Sequence, residues 1–340
     1  IISYLRDFII SEQILRDHPF HTLPHLFALK NSYEDLKYIE NSTAITTPRV
    51  ETAKSILNKC QKENKLEKFI GEMENFTSAL IELANYNICE KVAGNCEIEV
   101  PERLKLKKIN RLTTVAFPSL NLPHEKNLRY ENVITVHKFD KSYYLVGGIN
   151  LPKRIKCIGS DGIGRLLLVK GKDDLRQDAV MQQVFTIMNA LLSENGETKK
   201  RKLVIRTYKV VPLSQRSGII EWCENTQPLS LYLTGPDGKS GAHKKYNPGD
   251  ILPTECRAMI RKVRADDYRR LPDNIIINFV LMRFLFLFQV FAKPDATNRD
   301  KLNVFTEICD KFHPVFHNFF LEKFTAAGVW FERRLAYVHR

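Results

Sequence analysis

Residues 168–185, LVKGKDDLRQDAVMQQVF, decide the fold of this chain. A short apolar run ends at Lys170, acidic residues follow, and apolar residues then recur at helical spacing. This order predicts a strand that ends at a lysine, followed by a long amphipathic helix that ends near Asn195 and Gly196. The apolar stripe of the helix contains Leu175, Val180, Met181, Val184, Phe185, Met188, Leu191 and Leu192.

Strands are predicted on both sides of this helix. Upstream, β-branched and aromatic residues alternate in residues 133–136, 143–146, 155–158 and 166–169. Their short separations favour antiparallel strands joined by tight turns. Downstream, two more strands are predicted, at residues 203–208 and 218–222. The order strand, glycine-rich turn, strand, lysine, acidic group, helix and two strands is that of a kinase N-lobe.

Helices are predicted in the rest of the chain. Helical spacing occurs in residues 1–28, with an interruption at Pro19 and Pro24, and in residues 51–68 and 72–84. Helices that follow one another without strands favour a helical array over a βαβ unit. The chain returns to helices after residue 224, so the predicted class is α+β.

The formal net charge of +13 invites a nucleic-acid interpretation. The positive residues are nevertheless spread along the chain, as in residues 105–108, 199–202 and 261–264. The sequence contains no helix-turn-helix, zinc or RNA-binding signature. Solvated basic faces, or attraction to nucleotides and phosphate, therefore explain the charge better than direct reading of DNA.

The seven cysteines are odd in number, widely spaced and free of any Cys-x-x-Cys pair. This pattern argues against a disulfide framework and against a cysteine-based zinc site. The compartment that it indicates is a reducing one.

The turn at residues 159–164, GSDGIG, is the first candidate for chemistry. Glycines let backbone N–H groups approach phosphate oxygens, and Ser160 adds a hydroxyl donor. A plain hairpin is the alternative for this turn. The spacing is not Gly-x-Gly-x-x-Gly and no βαβ unit follows, which excludes a dinucleotide-binding fold.

Lys170 and the acidic group after it are the second candidate. A lysine at the end of this strand can direct its ammonium at the phosphates under the glycine turn, although a solvated lysine is the simpler interpretation. Asp173, Asp174 and Asp178 form the acidic group, and one of them could orient Lys170. Asp174 is better explained as a helix cap, and both interpretations are open for Asp178.

Glu221, Trp222 and Cys223 end the last predicted strand of this group. Adenine requires a backbone C=O and N–H from an edge of the strand, together with a flat apolar wall. Trp222 can supply the wall. A core or edge aromatic without a ligand is an equally good interpretation of Trp222.

Residues 275–292 are almost entirely apolar and have the length of a borderline membrane span. Arg283 lies at their centre, where a charge is costly in a bilayer. A buried helix, or a segment foreign to the mature protein, is therefore the preferred interpretation.

Residues 168–185 resemble the phosphatidylinositol-3-kinase-related protein kinases, and within them the ataxia-telangiectasia mutated branch. The same holds for residues 207–218 (TYKVVPLSQRSG), 220–223 (IEWC) and 241–246 (GAHKKY). Further matches are residues 147–152, 316–324 and 330–337, and a fainter one at residues 21–29 resembles the end of the helical FAT region. The Ser-Gln-Arg-Ser and Glu-Trp-Cys variants point to this branch.

The resemblance implies a phosphatidylinositol 3/4-kinase-type fold. Its parts are the end of a FAT region (1–35), a connection (36–125), an antiparallel-sheet N-lobe (126–224) and a partial helical C-lobe (225–340). It also implies ATP with Mg²⁺ and the following contacts. Lys170 would contact the phosphates, with Gly159, Ser160, Asp161 and Gly162 covering them, Asp173 and Asp178 beside Lys170, Tyr208 deeper in the pocket, and Glu221, Trp222 and Cys223 at adenine.

Two departures from this family are expected to matter. The chain ends at Arg340, before the Gly-x-Asp-Arg-His-x-x-Asn catalytic loop and the Asp-x-Gly metal loop of the family. No catalytic or metal-binding residue is therefore expected within it, and the polypeptide alone is expected to be inactive. Residues 267–300 lengthen a connection that is short in the family, either as a translated intron or mis-joined exon, which we favour, or as a lineage-specific insertion.

The resemblance implies a nuclear protein serine/threonine kinase of the DNA-damage response. Its substrates would carry Ser or Thr followed by Gln, and its partners would be a DNA double-strand-break sensor complex and a second copy of itself. Direct DNA reading and membrane association are not expected. A lipid kinase and a pseudokinase scaffold are the alternatives. The variants at residues 214–217 and 221–223 argue against the first, and Lys170 with its acidic neighbours argues against the second.

Overall fold

The computed structural model describes residues 2–38, 47–87, 97–146, 150–262 and 298–323. The chain forms two compact units, residues 1–224 and residues 225–340. Within the described ranges, no helix is both long and apolar enough to cross a membrane. The apolar run at residues 275–292, with its neighbours from residue 267, lies almost wholly outside those ranges.

The first unit begins with helices. α1 (Ile2–Asp17) and α2 (Pro19–Lys30) meet at His18, so the predicted interruption at Pro19 is confirmed. Pro24 lies inside α2 without ending it. A short 3₁₀ helix (Glu34–Tyr38) follows.

The predicted boundary between the next two helices is wrong. α3 (Pro48–Cys60) ends early, and α4 (Asn64–Asn85) runs through Gly71 without a break. Gly71 costs helix propensity, but the apolar stripe of α4 is buried on both sides of it, at Ile70 and Met73 among others. Tertiary burial therefore overrides the local weakness at Gly71.

The sheet of the first unit has six antiparallel strands in the order β1-β2-β3-β4-β6-β5. The predicted α+β class with an antiparallel sheet is confirmed. The strands are β1 (Glu97–Glu99), β2 (Val136–Leu145), β3 (Lys153–Gly159), β4 (Gly164–Lys170), β5 (Val210–Pro212) and β6 (Gly218–Glu221). The helix predicted beyond Lys170 is α5 (Leu175–Glu194), and a short α6 (Gly196–Lys200) follows.

Two strand predictions are corrected. Residues 133–136 and 143–146 were expected to be separate strands, but a single strand, β2, crosses the polar residues Asp140 and Lys141 between them. Its pairing with β3 shifts between Phe139 and Tyr143, so a bulge takes the place of the expected turn. Residues 203–208 are not a strand, because side chains of α5 take up backbone groups of this segment, as described below.

The core of the first unit lies between α4 and one face of the sheet. Ile155, Cys157, Leu167 and Val169 alternate along β3 and β4 and are buried there together with Leu80 of α4. The opposite face of these strands is not covered in this way. This difference positions the candidate site.

The described part of the second unit is helical. Its elements are α7 (Leu229–Thr234), α8 (Ala242–Tyr246), α9 (Pro253–Lys262), α10 (Asn298–Lys311) and α11 (Phe316–Lys323). His243 stacks on Phe312 with ring centroids 3.9 Å apart. Asp250 accepts hydrogen bonds from the backbone N–H and pairs with the ring Nδ1 of His313, both at 2.7 Å. These contacts join α8 and the loop after it to the turn that follows α10.

Candidate functional site

The strands β3, β4 and β6 have one buried face and one partly open face. Antiparallel pairing places Leu168 between Arg154 of β3 and Ile220 of β6, so these three side chains share the open face. Leu166, Ile158 and Trp222 lie on the same face by strand alternation, and all are half-buried. The result is an apolar floor bordered by two turns and by the end of β4.

Lys170 is the last residue of β4 and belongs to this open face. Its ammonium forms an ion pair with the carboxylate of Asp173. The Lys170 side chain is 23% exposed, so the ammonium is within reach of solvent or a ligand while its direction is held by Asp173. Of the acidic residues considered for this role, Asp173 is the one that the structure pairs with Lys170.

The other two acidic residues lie at the start of α5. Asp174 is the N-cap, because its carboxylate accepts a hydrogen bond from the backbone N–H of Arg176 at 3.1 Å. The same carboxylate pairs with the Arg176 guanidinium, which lowers its pKa. The capping interpretation of Asp174 is thus confirmed. Asp178 is half-buried in the first turn of α5, and its place beside Lys170 stays a prediction.

The glycine turn between β3 and β4 is tied together internally. Gly162 has a φ of +77°, which favours glycine, and its N–H donates to the carbonyl of Gly159 at 3.0 Å. Asp161 accepts from the N–H of Ile163 and pairs with Arg165, and this pairing lowers the pKa of Asp161. These bonds make the turn a rigid hairpin and use N–H groups that were expected to reach phosphate.

Ser160 ties this turn to the segment that precedes β2. Its Oγ accepts a hydrogen bond from the N–H of Thr135 at 3.0 Å, and its own N–H donates to the Thr135 carbonyl at 2.8 Å. Accepting a bond does not use the hydroxyl hydrogen, which can still be donated to a phosphate. The hairpin therefore offers a fixed hydroxyl rather than a flexible cover.

The end of β6 provides the expected backbone edge. The N–H of Lys209 donates to the Glu221 carboxylate at 2.9 Å instead of to the Glu221 main-chain carbonyl. That carbonyl is an acceptor of the kind that the predicted adenine contact requires. Trp222 extends the strand through its N–H, which donates to the Leu166 carbonyl at 3.2 Å. Cys223 follows, half-buried.

Arg154 is a residue of this face that sequence reasoning missed. Its guanidinium carbon lies 5.0 Å from the ring centroid of Tyr144 and 5.1 Å from that of Trp222. These are cation–π distances, so Arg154 fixes the plane of the Trp222 ring. Strand alternation within β3 could have revealed it, because Arg154 and Ile158 are four residues apart.

The segment that contains Tyr208 is held by α5. The side chain of Asn189 accepts from the N–H of Ile205 at 2.7 Å and donates to the carbonyl of Ile205 at 2.8 Å. The buried Gln182 accepts from the N–H of Tyr208 at 3.0 Å. These amides replace the ladder of the predicted strand and set the depth of Tyr208 relative to α5. No spacing signal in the sequence identifies Gln182 or Asn189.

A cavity lies elsewhere in the first unit. It measures about 570 Å³ and is lined by α2, α4, residues 115–122 and β5. None of the predicted site residues lines it. Burial and the stacked ring of His124 lower the pKa of His21, which lies on its wall. The cavity is therefore separate from the open face of the sheet.

Within the described ranges, no group of three or more His, Cys, Asp or Glu side chains is arranged so that its members could bind a metal ion together. A nucleotide fits the donor set better. The open face offers an apolar floor, a backbone edge at Glu221 and one oriented ammonium at Lys170.

The family model for phosphatidylinositol 3- and 4-kinases matches residues 166–340, just over half of the chain. The chain therefore belongs to this family. Among its relatives, the serine-protein kinase ATM of Sus scrofa is 37% identical over 336 residues, which are 94% of this chain and 10% of that protein. The serine/threonine-protein kinase tel1 of Schizosaccharomyces pombe is 31% identical over 327 residues, 95% of this chain and 10% of its own length.

Solved structures give the same result. The open conformation of CtTel1 matches with a TM-score of 0.68 and 27% identity, over 96% of this chain and 11% of that one. The FAT and kinase domain of CtTel1 matches with a TM-score of 0.66 and 26% identity, over 96% of this chain and 20% of that one. The chain thus spans about a tenth of the length of the relatives it matches.

Proposed function

We propose that this chain carries the nucleotide-binding lobe of an ATP-dependent protein serine/threonine kinase. The observation that supports it most strongly is the Lys170–Asp173 ion pair at the end of the open sheet face. In kinases of known mechanism, a strand lysine paired with a carboxylate holds the ATP phosphates. The relatives named above are serine or serine/threonine protein kinases.

Each part of ATP has a counterpart on the open face. Ile158, Leu166 and Leu168 offer an apolar surface to the adenine ring. The carbonyl of Glu221 and the backbone of Cys223 hydrogen-bond its edge, beside Trp222. The hairpin at residues 159–162 lies over the phosphates, and Tyr208 and Asp178 line the inner end of the pocket.

The oriented ammonium explains how the chain assists phosphoryl transfer. Lys170 neutralises charge on the ATP phosphates, and Asp173 prevents the ammonium from turning into solvent. ATP with Mg²⁺ supplies the transferred phosphoryl group. No residue of this chain is assigned as a ligand of Mg²⁺, because the sequence contains no Gly-x-Asp-Arg-His-x-x-Asn or matching Asp-x-Gly loop.

The wider role is proposed from the resemblance to the ataxia-telangiectasia mutated branch. We assign the parent protein to Ser-Gln and Thr-Gln substrates, to DNA-damage signalling in the nucleus and to a double-strand-break sensor complex. The helices before residue 36 belong in this proposal to the end of a FAT region, as in the matched FAT and kinase domain of CtTel1. A homodimer is proposed for the parent, since a C2-symmetric dimer is described for CtTel1.

A lipid kinase is the competing function, because the family includes phosphatidylinositol kinases. An assay of the longer protein that contains this chain distinguishes a protein kinase from a lipid kinase. The protein is assayed with ATP and Mg²⁺ on a Ser-Gln peptide, on the matched Ser-Ala peptide and on phosphatidylinositol vesicles. We expect transfer to the Ser-Gln peptide only. Transfer to the vesicles would establish the lipid kinase, and no transfer to any acceptor would support a pseudokinase scaffold.

A further inference from the structure

Asp35, in the 3₁₀ helix after α2, is a buried carboxylate far along the chain from the candidate site. It is 2% exposed. It accepts hydrogen bonds from the hydroxyls of Ser214 and Ser217, from the backbone N–H of Arg216 at 2.9 Å and from the side chain of Asn85 at 3.0 Å. Because all four of these donors are uncharged, the carboxylate acts as a bridge rather than as half of an ion pair.

The bridged turn, residues 213–217, closes on itself around Asp35. The N–H of Leu213 donates to the carbonyl of Ser217 at 2.9 Å, and the N–H of Ser217 donates to the Ser214 hydroxyl at 2.9 Å. The peptide group that joins Arg216 to Ser217 is thus fixed from inside the protein, because Ser214 links its N–H to Asp35. A peptide held at several points is a precise support for whatever bonds to its other side.

The other side of that peptide supports the ion pair. The carbonyl of Arg216 accepts a hydrogen bond from the backbone N–H of Asp173 at 3.1 Å. Asp173 in turn pairs with Lys170. A continuous series of polar contacts therefore runs from Asp35 through the Ser214 hydroxyl and the Arg216–Ser217 peptide to Asp173, whose carboxylate pairs with Lys170.

The C-terminal end of α4 contacts both the loop after Lys170 and the turn at residues 213–217. A Cβ added at Gly171 would lie 2.6 Å from the carbonyl oxygen of Ala84, so only glycine allows this approach. The next residue of α4, Asn85, donates to both Asp35 and Ser217. Asp35 therefore lies where the helices before the sheet meet the two loops at the end of β4 and before β6, residues 171–173 and 213–217.

We infer that Asp35 is a positioning residue for nucleotide binding, through which the helices that precede the sheet control the geometry of the Lys170–Asp173 pair. This inference rests on the proposed function. It assigns to the helical segment an active part in binding ATP. Loss of the bridge leaves Lys170 in place on β4 but releases Asp173, so the ammonium is no longer directed at the phosphates.

The test compares Asp35→Asn with the unchanged chain. In the 340-residue chain, ATP affinity is measured by titration calorimetry, and hydrogen exchange is measured at the Asp173 amide. We expect about tenfold weaker ATP binding and faster exchange at Asp173, because small displacements of positioned groups are costly. In the longer protein, the KM for ATP rises while the KM for the peptide stays the same. Simple loss of folded protein would lower kcat without changing the KM for ATP.

Two further variants make the result decisive. Ser214→Ala removes one donor to Asp35 and the acceptor of the Ser217 N–H, and it retains the bond from the Arg216 N–H to Asp35. It therefore changes ATP binding and exchange in the same direction, and it replaces Asp35→Asn as the test if that variant does not fold. Glu74→Gln is the control, because it breaks the Lys30–Glu74 ion pair between α2 and α4 without touching the turn.

The outcomes separate the two proposals. If the unchanged chain binds no ATP, the proposed function fails. If it binds ATP and both turn variants bind it equally well with unchanged exchange at Asp173, the role of Asp35 is refuted. If Glu74→Gln weakens binding as much as Asp35→Asn, the effect reflects general loosening of the helices, and the specific role is likewise refuted.

Discussion

Lys170 forms its ion pair with Asp173, three residues later, rather than with a residue of the long helix α5. The pair is therefore local in the chain, and the loop between its members determines its geometry. Lys172 in that loop has a φ of +61°, in the left-handed region that few residues with a side chain adopt. The strained backbone turns Asp173 back toward the end of β4.

Replacing Lys170 tests the ammonium directly. We expect Lys170→Met to weaken ATP binding at least about tenfold, since a charge-assisted hydrogen bond contributes about 1.5–3 kcal/mol. Titration calorimetry measures the change. Lys172→Met is the matched control, because it removes the same charge two residues away, and the hydrogen bond that it loses is to Asn87, away from Asp173. Equal weakening by both variants would show that net charge, not position, attracts the nucleotide.

Gly218 faces Lys170 across the pairing of β4 and β6 and has no space for a side chain. A Cβ there would lie 2.7 Å from the carbonyl oxygen of Val211. Gly218→Ala is expected to lower the free energy of unfolding by about 1–3 kcal/mol, because β5 and β6 must separate. Denaturant titration measures it. Gly196→Ala, where the new methyl group meets nothing within 4 Å, should cost nothing. A stable Gly218→Ala variant would contradict this packing.

Lys153 predicts a dependence of stability on pH. The buried ammonium donates to the carbonyl of Ala84 at 3.0 Å, and burial, followed by the charge of Lys172, lowers its pKa to about 8 from 10.5. The unfolded chain then binds more protons between these values, so stability rises with pH across this window. We expect the unchanged chain to gain about 1 kcal/mol relative to Lys153→Met between pH 7 and pH 9.

Thermal unfolding of the two proteins across that pH range measures this difference. Lys156→Met, on the same strand but exposed, is the control for the loss of one positive charge. A constant difference between the unchanged chain and Lys153→Met would mean that Lys153 titrates alike in the folded and unfolded states.

Asn189 is expected to hold residues 203–209 in place of a strand partner. Asn189→Ala removes the acceptor of the Ile205 N–H, at a cost of about 1 kcal/mol, so hydrogen exchange at that amide should become about five to ten times faster. Asn189→Asp keeps the acceptor and should protect the Ile205 amide better than Asn189→Ala does. Equal exchange in all three proteins would show that the segment is held by other contacts.

The sequence contains most of what is needed to predict the lobe. Strand alternation and the stripe of α5 predict β3, β4, β6 and α5 within a few residues, because each depends on local periodicity. Local periodicity does not predict that residues 203–208 lack strand structure, since their β-branched character favours a strand. Their backbone groups bond instead to side chains of α5 that are 16 or more residues away in the sequence.

The candidate site follows the same division. Lys170 and its acidic neighbours stand together in the chain, so the pair could be anticipated. Asp35 could not, since its contacts to residues 214–217 span about 180 positions and depend on the folded arrangement of α2, α4 and the sheet. Arg154 lies between these cases, because alternation gives its face but not its contact with Trp222.

The central claim is that ATP binds on the open sheet face with its phosphates at Lys170. An acyl-phosphate derivative of ATP transfers its acyl group to a lysine next to the bound phosphates, and peptide mass spectrometry identifies that lysine. We predict acylation of Lys170 that excess ATP suppresses, with exposed lysines outside this face, such as Lys65 of α4, labelled weakly and without protection by ATP. Absence of ATP-protected labelling at Lys170, or protection at lysines outside this face, would contradict the claim.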